Sequence, residues 1–294
     1  MTDTNSNAIT RFAPSPTGHL HLGHAYSAMF AGSEAERLGG RLIVRIEDID
    51  QTRCRPEFEA AIFEDLAWLG LSWEESVRRQ SDHMNDYAGA LERLEGMGVL
   101  YPCFCTRKDI QREIAGAANA PHGPDGPVYP GTCKALAKHE RARRMNAGEP
   151  HAMRLDMVAA IEQTGPLSWN DGKAGTVEAT PEIFGDVVLA RKDTPTSYHL
   201  AVTLDDHLQD ITLVTRGRDL FDATHVHRVL QELLGLSTPH YHHHELLVGA
   251  DGKRFAKRDA SLTLRALRAA GKSPANVRQM VERGLCAPLA KAVD

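Results

Sequence analysis

The chain has 294 residues, 42% hydrophobic and 25% charged, which suffices for one large or two modest domains around a proper core. A net charge of −5 excludes a globally basic nucleic-acid binder, so any RNA contact must come from local patches. No apolar run is long enough to span a bilayer, and the start MTDTNSNAIT has neither the basic nor the apolar part of a secretion signal; a cytoplasmic protein with no membrane partner is expected.

Ile9 to Ala13 can end a buried strand, after which Pro14, Pro16 and Gly18 force an extended turn and Leu22 to Arg37 reads as a helix. A strand that breaks at such a turn and feeds a helix is a phosphate-binding geometry, because the first-turn N–H groups lack partners within the helix. His21 and His24 lie three residues apart at that helix start and can reach one point, and Gly23 leaves room for a ligand against the backbone. Two surface histidines on an ordinary strand–turn–helix would be the alternative for an isolated HxxH.

Arg41 to Glu47 is a β-branched run suited to a central parallel strand, ending at Glu47-Asp48-Ile49-Asp50. Ligands of open α/β sheets sit beyond the carboxyl ends of the strands, so Glu47 can face such a crevice beside Arg11. Asp48 and Asp50 suit helix capping and local backbone bonds equally well. Pro56 to Leu69 and Asp82 to Met97 have helical apolar spacing and read as core helices, followed by Val99-Leu100-Tyr101.

The character changes at Cys103-Phe104-Cys105. A polar helix from Arg107 to Ile114 leads into a Gly/Ala/Pro-rich loop and then Tyr129-Pro130-Gly131-Thr132-Cys133. Five cysteines (Cys54, Cys103, Cys105, Cys133, Cys286) argue against a disulfide framework, and three in one region point to metal. A zinc ion on Cys103, Cys105 and Cys133 would give the long loop a reason to be ordered. By chemistry alone the fourth ligand stays open among His122, His139 and Tyr129, and three small buried thiols without metal are the alternative.

Lys134 to Arg144 is a basic helix, either a solvated face or a phosphate contact. His151 to Asp156 and Gly185 to Arg191 read as strands. Ser197 to Val202 and Asp210 to Gly217 return to buried-strand composition, with Asp205-Asp206-His207 as the turn between them. Ala223 to Leu234 is a helix whose His225 and His227 are expected at the surface or as caps. In the extended run Tyr241 to His244, alternate histidines face opposite ways, so His242 and His244 cannot easily join His243 on one ion. Leu262 to Ala270 and Pro274 to Leu285 read as two short helices.

The stretch Arg11 to His24, RFAPSPTGHLHLGH, resembles the HIGH motif of class I aminoacyl-tRNA synthetases in the form that marks their glutamate-specific branch. Arg254-Phe-Ala-Lys257-Arg258 falls in register with the KMSKS loop of that class, departing at Arg254 and Ala256 and keeping the second lysine as Lys257. Cys103-x-Cys105 and Tyr129-xxx-Cys133 are in step with the CxC…YxxxC zinc site of the glutamyl-Q tRNA(Asp) synthetases, short relatives of glutamyl-tRNA synthetase that also carry a similar YHHH run without a metal. That resemblance favours Tyr129 as the fourth zinc ligand.

The resemblance implies an α/β fold: a Rossmann-type catalytic domain in two halves, 8–100 and 187–250, a zinc-containing, acceptor-binding-like insertion at 101–186, and a KMSKS-like loop with a small helical part at 251–294. It implies that His21, Gly23, His24 and Lys257 bind ATP with Mg²⁺, with His21, His24 and Lys257 acting in catalysis. Arg11, Tyr198 and Arg216 would bind the side-chain carboxylate of L-glutamate and Glu47 with Ser15 its amino end, with Phe12, Ala13 and Pro14 lining the site. It also implies, on a chain that stops short of an anticodon-binding region, a monomer that forms glutamyl-adenylate and passes glutamate to queuosine in the anticodon of tRNA(Asp). A truncated enzyme charging tRNA(Glu), a small-molecule nucleotidyltransferase and a non-enzymatic zinc and RNA-binding module are the competing readings.

Overall fold

A computed structural model of the chain describes residues 8–116, 122–124, 126–247 and 263–286. The elements run β1 (Ile9–Phe12), α1 (Leu22–Arg37), β2 (Arg41–Ile46), α2 (Pro56–Trp68), β3 (Arg78–Arg79), α3 (Met84–Gly96) and β4 (Leu100–Cys103). Then come α4 (Arg107–Gly116), the short pair β5 (His122–Gly123) and β6 (Gly126–Pro127), α5 (Lys138–Asn146), β7 (Ala152–Leu155), α6 (Met157–Thr164), β8 (Ser168–Asp171), β9 (Gly175–Glu178) and β10 (Val188–Ala190). The last are α7 (Tyr198–Leu208), β11 (Leu213–Gly217), α8 (Ala223–Leu234), β12 (His240–His244), α9 (Leu264–Ala269) and α10 (Pro274–Cys286).

β1 and β2 pair in parallel, Ile9 opposite Arg41 and Phe12 opposite Val44, and β3 joins the outer side of β2. β11 and β12 form a second parallel pair. The two groups meet at β1 and β11, where the Thr212 amide donates to the Ile9 carbonyl at 3.1 Å and the Ile9 amide to Thr212 Oγ1 at 2.9 Å. Strand order therefore reverses between β1 and β11, and a crevice opens beyond their carboxyl ends, the usual ligand position of a doubly wound sheet. The β8–β9 hairpin extends this sheet, with Asp171 opposite Tyr241 of β12. β10, β7 and β4 make a separate antiparallel sheet.

One core packs α1, α2 and β2 against α9 and α10, joining Ala25, Val44, Ile62 and Leu66 to Leu264 and Val277. A second packs α3, α6, α7 and α8, centred on Leu94, Leu200, Val226 and Leu230. Each such aliphatic side chain contributes about 1.5–3 kcal/mol by leaving water. Trp169, Val214 and Tyr241 fill the space beneath the second half of the sheet.

Two expectations need correction. Ser197 to Val202 is not a strand: Ser197 caps α7, its hydroxyl accepting from the Leu200 amide, and Asp205-Asp206-His207 lies inside that helix rather than in a turn. The helix is buried almost all round, from Leu200 to Asp206, so its apolar run carries no period that separates helix from strand. His225 and His227 are buried (6% and 2% exposed), not at the surface, because α8 is covered on nearly every face. The histidine run on β12 alternates: His242 and His244 turn to Glu34 and Ser27 of α1, while His243 turns the other way to Asp171.

Candidate active site and metal centre

The crevice holds a cavity of about 470 Å³ whose walls include Arg11, Ser15, His21, Glu47, Tyr198 and Arg216. Phe12, Ala13, Pro14, Gly23 and His24 line it as well. The turn after β1 is tied to the end of β2 by the Glu47 amide, which donates to the Pro14 carbonyl at 3.0 Å. That bond brings the carboxyl end of β2 against the first turn.

Arg11 is 5% exposed; its Nε donates to Asp206 at 3.0 Å and its Nη1 to the Thr215 carbonyl at 2.8 Å. Asp206 also accepts from Arg45 Nη1 at 2.8 Å, and Arg45 Nη2 donates to Glu47 at 3.2 Å. Asp205 accepts from Arg78, Gln80 and Tyr87. A buried network of Arg11, Arg45 and Arg78 with Asp205, Asp206 and Glu47 thus balances charge under the cavity floor. Burial works against the Asp206 charge, but Arg11 and Arg45 outweigh it and hold its carboxyl below the usual range. Burial raises Glu47 instead, against the pull of Arg45 and Arg11.

Arg216, 5% exposed, is held differently. Its Nε donates to His243 Nε2 (3.1 Å) and its Nη2 to Thr224 Oγ1 (2.7 Å), while Nη1 reaches His227 Nδ1 (3.2 Å) and the Tyr198 hydroxyl (3.4 Å). None of these partners is a carboxylate. Burial and the Arg216 charge push His243 down to about 4 and hold His227 well below the ordinary imidazole value. Both rings are therefore neutral at pH 7 and accept from the guanidinium. A buried cation with only neutral partners, facing a cavity, has the charge and the geometry to accept a ligand carboxylate.

Across the cavity, His21 is the N-cap of α1. Its Nδ1 accepts from the Gly23 amide at 3.1 Å, and His24 Nδ1 accepts from the His21 amide at 3.2 Å. With both Nδ1 atoms used as acceptors, the neutral rings carry their protons on Nε2. The rings lie 3.8 Å apart centre to centre. A Cβ at position 23 would sit 3.0 Å from His21 Cε1, so glycine here makes room for the His21 ring as well as lining the cavity. Asp48 accepts from the Ser81 amide (2.8 Å) and hydroxyl (2.6 Å), 33 residues on, and Asp50 pairs locally with Arg53 and Thr52, so both are taken up by protein partners. Lys257 lies outside the described residues. Leu247 lines the cavity, and Thr263 bridges to His21.

The thiols of Cys103, Cys105 and Cys133 lie within 4.8 Å of one another, the one such metal-ready cluster among the described residues. Cys105 and Cys133 sulfurs are 3.4 Å apart, and Tyr129 Oη is 3.4 Å from Cys103 Sγ and 3.5 Å from Cys105 Sγ. A zinc tetrahedron with Zn–S of about 2.3 Å has S–S edges of roughly 3.8 Å and slightly shorter S–O edges, so the donor set fits the ion. The Phe104 amide donates to Cys133 Sγ (3.3 Å) and the Cys133 amide to Tyr129 Oη (2.9 Å), as suits anionic ligands. Burial and the crowded sulfurs push Cys105 up to about 12, which a cation would reverse. His139 is exposed on α5.

Sequence reasoning missed Arg45, Asp205, Asp206, His227, Asp171 and Thr224. A readable signal existed for two of them: adjacent acids in an otherwise apolar segment must be paired.

The fold is a doubly wound sheet with a histidine-capped helix and a buried guanidinium at its switch point, and residues 7–291 match the family described as tRNA synthetases class I (E and Q), catalytic domain, which makes this a class I synthetase catalytic domain. A glutamate tRNA ligase from Elizabethkingia meningosepticum, solved in complex with its amino acid, superposes with a TM-score of 0.73 at 28% identity over 87% of this chain and 53% of that one. The Glutamyl-Q tRNA(Asp) synthetase of Rhodobacter capsulatus is 49% identical over 93% of this chain and 99% of the relative, and that of Nitratidesulfovibrio vulgaris 43% identical over 91% and 83%. This chain belongs to the glutamyl-Q tRNA(Asp) synthetases. It spans about half the length of the solved glutamate ligase. Among the described residues no helix is long and apolar enough to cross a membrane.

Proposed function

We propose that the protein activates L-glutamate with ATP and transfers it to the queuosine base in the anticodon loop of tRNA(Asp), acting as a cytoplasmic monomer. The observation that carries the reading is the Arg216 guanidinium, buried among neutral acceptors in the cavity wall opposite the α1 N-terminus.

In the first step an α-carboxylate oxygen of glutamate attacks the α-phosphorus of ATP and pyrophosphate leaves. Such transfers need positioning and charge stabilisation more than covalent help. Arg216, Tyr198 and Arg11 hold the side-chain carboxylate, and Glu47 with Ser15 the ammonium, while Phe12, Ala13 and Pro14 form the cavity wall. His21 and His24 donate from Nε2 to the phosphates beside the first-turn amides and Gly23, and Lys257 neutralises charge building on the leaving group. Mg²⁺, when bound with the triphosphate, supplies further neutralisation. In the second step a hydroxyl of the queuosine cyclopentene-diol attacks the activated carbonyl, forms the ester and releases AMP. A second cavity of about 330 Å³ shares Ser15, Thr17, Glu47 and Tyr198 with the first and supplies an approach for that nucleoside.

The acceptor is tested by incubating the protein with glutamate, ATP and two RNAs, tRNA(Asp) bearing queuosine and tRNA(Glu), followed by periodate treatment. Label on the queuosine-bearing RNA alone is expected. Label on the 3′ end of tRNA(Glu) would overturn the acceptor and leave the activation step standing.

Zinc bound by Cys103, Cys105, Cys133 and Tyr129 orders the loop between β4 and β7 in this reading. Elemental analysis is expected to give one zinc per chain, lost in Cys133→Ser together with a lowered Tm. Tyr129→Phe should weaken retention against a chelator by roughly 10- to 100-fold, the scale seen when a partner of a metal site is removed. Unchanged retention would exclude Tyr129 as a ligand.

A further inference from the structure

His243 meets Arg216 on one side and Asp171 on the other. Asp171 sits at the end of β8, 5% exposed, with every lone-pair position engaged. One oxygen accepts from the amides of Lys173 (2.9 Å) and Ala174 (3.0 Å); the other accepts from the His243 amide (3.2 Å) and faces His243 Nδ1 at 2.7 Å. A carboxylate fixed in this way can only accept, so the His243 proton resides on Nδ1. Nε2 is left with its lone pair, 3.1 Å from Arg216 Nε. The opposite tautomer would aim an N–H at the guanidinium.

We propose that Asp171, acting through the tautomer of His243, is a positioning residue that presents Arg216 to the ligand carboxylate. It rests on the reading that Arg216 binds the glutamate side chain. The charge of Asp171 stays one imidazole away from the cation. Arg216 is thus oriented by a carboxylate that does not pair with it, and its charge remains available to the ligand. His227 serves the second edge of the guanidinium, with its Nε2 3.2 Å from His199 Nδ1. Trp169 and Phe221, at 5.8 and 5.0 Å from the His243 ring centre, hold the imidazole edge-on in a dry slot.

The test is a cycle of variants in glutamate-dependent pyrophosphate exchange, with KM for glutamate and for ATP measured separately. Asp171→Asn puts an amide where one carboxylate oxygen was and reverses the tautomer when its nitrogen faces the ring. It should raise KM for glutamate roughly tenfold or more, the scale of a hydrogen bond to a charged group. KM for ATP should stay within about threefold, since His21 and His24 do not use this relay. Gln has an acceptor oxygen of its own, so His243→Gln should hold Arg216 without instruction from Asp171. In that background Asp171→Asn is expected to add nothing. An equal penalty in both backgrounds would mean that Asp171 serves only the hairpin turn, and would overturn the proposal. Should Asp171→Asn not fold, His243→Gln against His243→Leu decides: retention by Gln and loss by Leu support the relay, and equal losses overturn it. Arg216→Ala with unmoved KM for glutamate would instead sink the functional reading on which the relay rests.

Discussion

Replacing Arg216 by alanine is expected to abolish glutamate activation at ordinary glutamate concentrations. The guanidinium is buried, and its four protein partners are a phenol, a hydroxyl and two imidazoles kept neutral by burial and by Arg216 itself. Without this cation, a glutamate carboxylate entering the cavity keeps only the Tyr198 hydroxyl and an Arg11 already engaged by Asp206 and the Thr215 carbonyl. Leaving a buried charge without its partner costs about 3–5 kcal/mol. That corresponds to roughly two to three and a half orders of magnitude in kcat/KM for glutamate. Arg216→Lys should recover little, because one ammonium cannot donate in the planar fork that the four partners fix. Glutamate-dependent pyrophosphate exchange reads both variants. A kcat/KM within threefold of the parent would remove Arg216 from the site, while an unchanged Tm in the inactive variant would show that the loss is local.

The second large effect is on stability. Asp206→Ala takes away the carboxylate shared by Arg11 Nε and Arg45 Nη1, two guanidinium groups 5% and 0% exposed. Glu47 and Asp205 remain near Arg45, yet two buried cations then share too little negative charge. The expected loss is about 3–5 kcal/mol in unfolding free energy, read as a lower denaturant midpoint at unchanged m-value. The pH dependence carries a sign. Because the folded protein holds Asp206 below its ordinary pKa, its stabilisation is complete above about pH 4, where the unfolded carboxyl ionises, and is lost as pH falls through the folded value. The parent should therefore lose stability on acidification below pH 4 more steeply than the variant. Parallel curves in acid, or a midpoint shift worth under about 1 kcal/mol, would mean that the network is no better than neutral packing.

The parts of this molecule that were legible in sequence are those whose chemistry is local. The Pro-Ser-Pro-Thr-Gly turn after an apolar run announced β1 and the start of α1, and the β-branched RLIVRI announced β2. The crowding of Cys103, Cys105 and Cys133 in one region marked a metal-ready cluster, and α8 has the bounds expected for it, Ala223–Leu234. What stayed hidden depends on partners far along the chain. Asp206 binds Arg11 across 195 residues and Arg45 across 161, and no local pattern announces that. α7 was misread as a strand because a helix buried on every side loses its 3.6-residue stripe. His227 was expected at the surface or as a cap for a related reason: histidine is read as polar, whereas here desolvation is what keeps it an acceptor. That the histidines of α1 sit together at the start of the helix was legible, but their reciprocal capping, which sets their tautomers, was not.

Position along the sheet also governs when this protein can become whole. β1 is made first, yet its Ile9 bonds to Thr212, which follows 203 residues later. At about 5–20 residues per second, ribosomal synthesis leaves that edge of β1 without its neighbour for roughly 10–40 s. Parallel pairings over such separations are slow and expose apolar edges while they wait. Arg11 stands on β1 and Arg216 on β11, so the proposed glutamate site closes only after both halves of the sheet have met. Nascent chains should therefore engage chaperones before they bind glutamate, and glutamate present during refolding should act on the last step of assembly rather than the first.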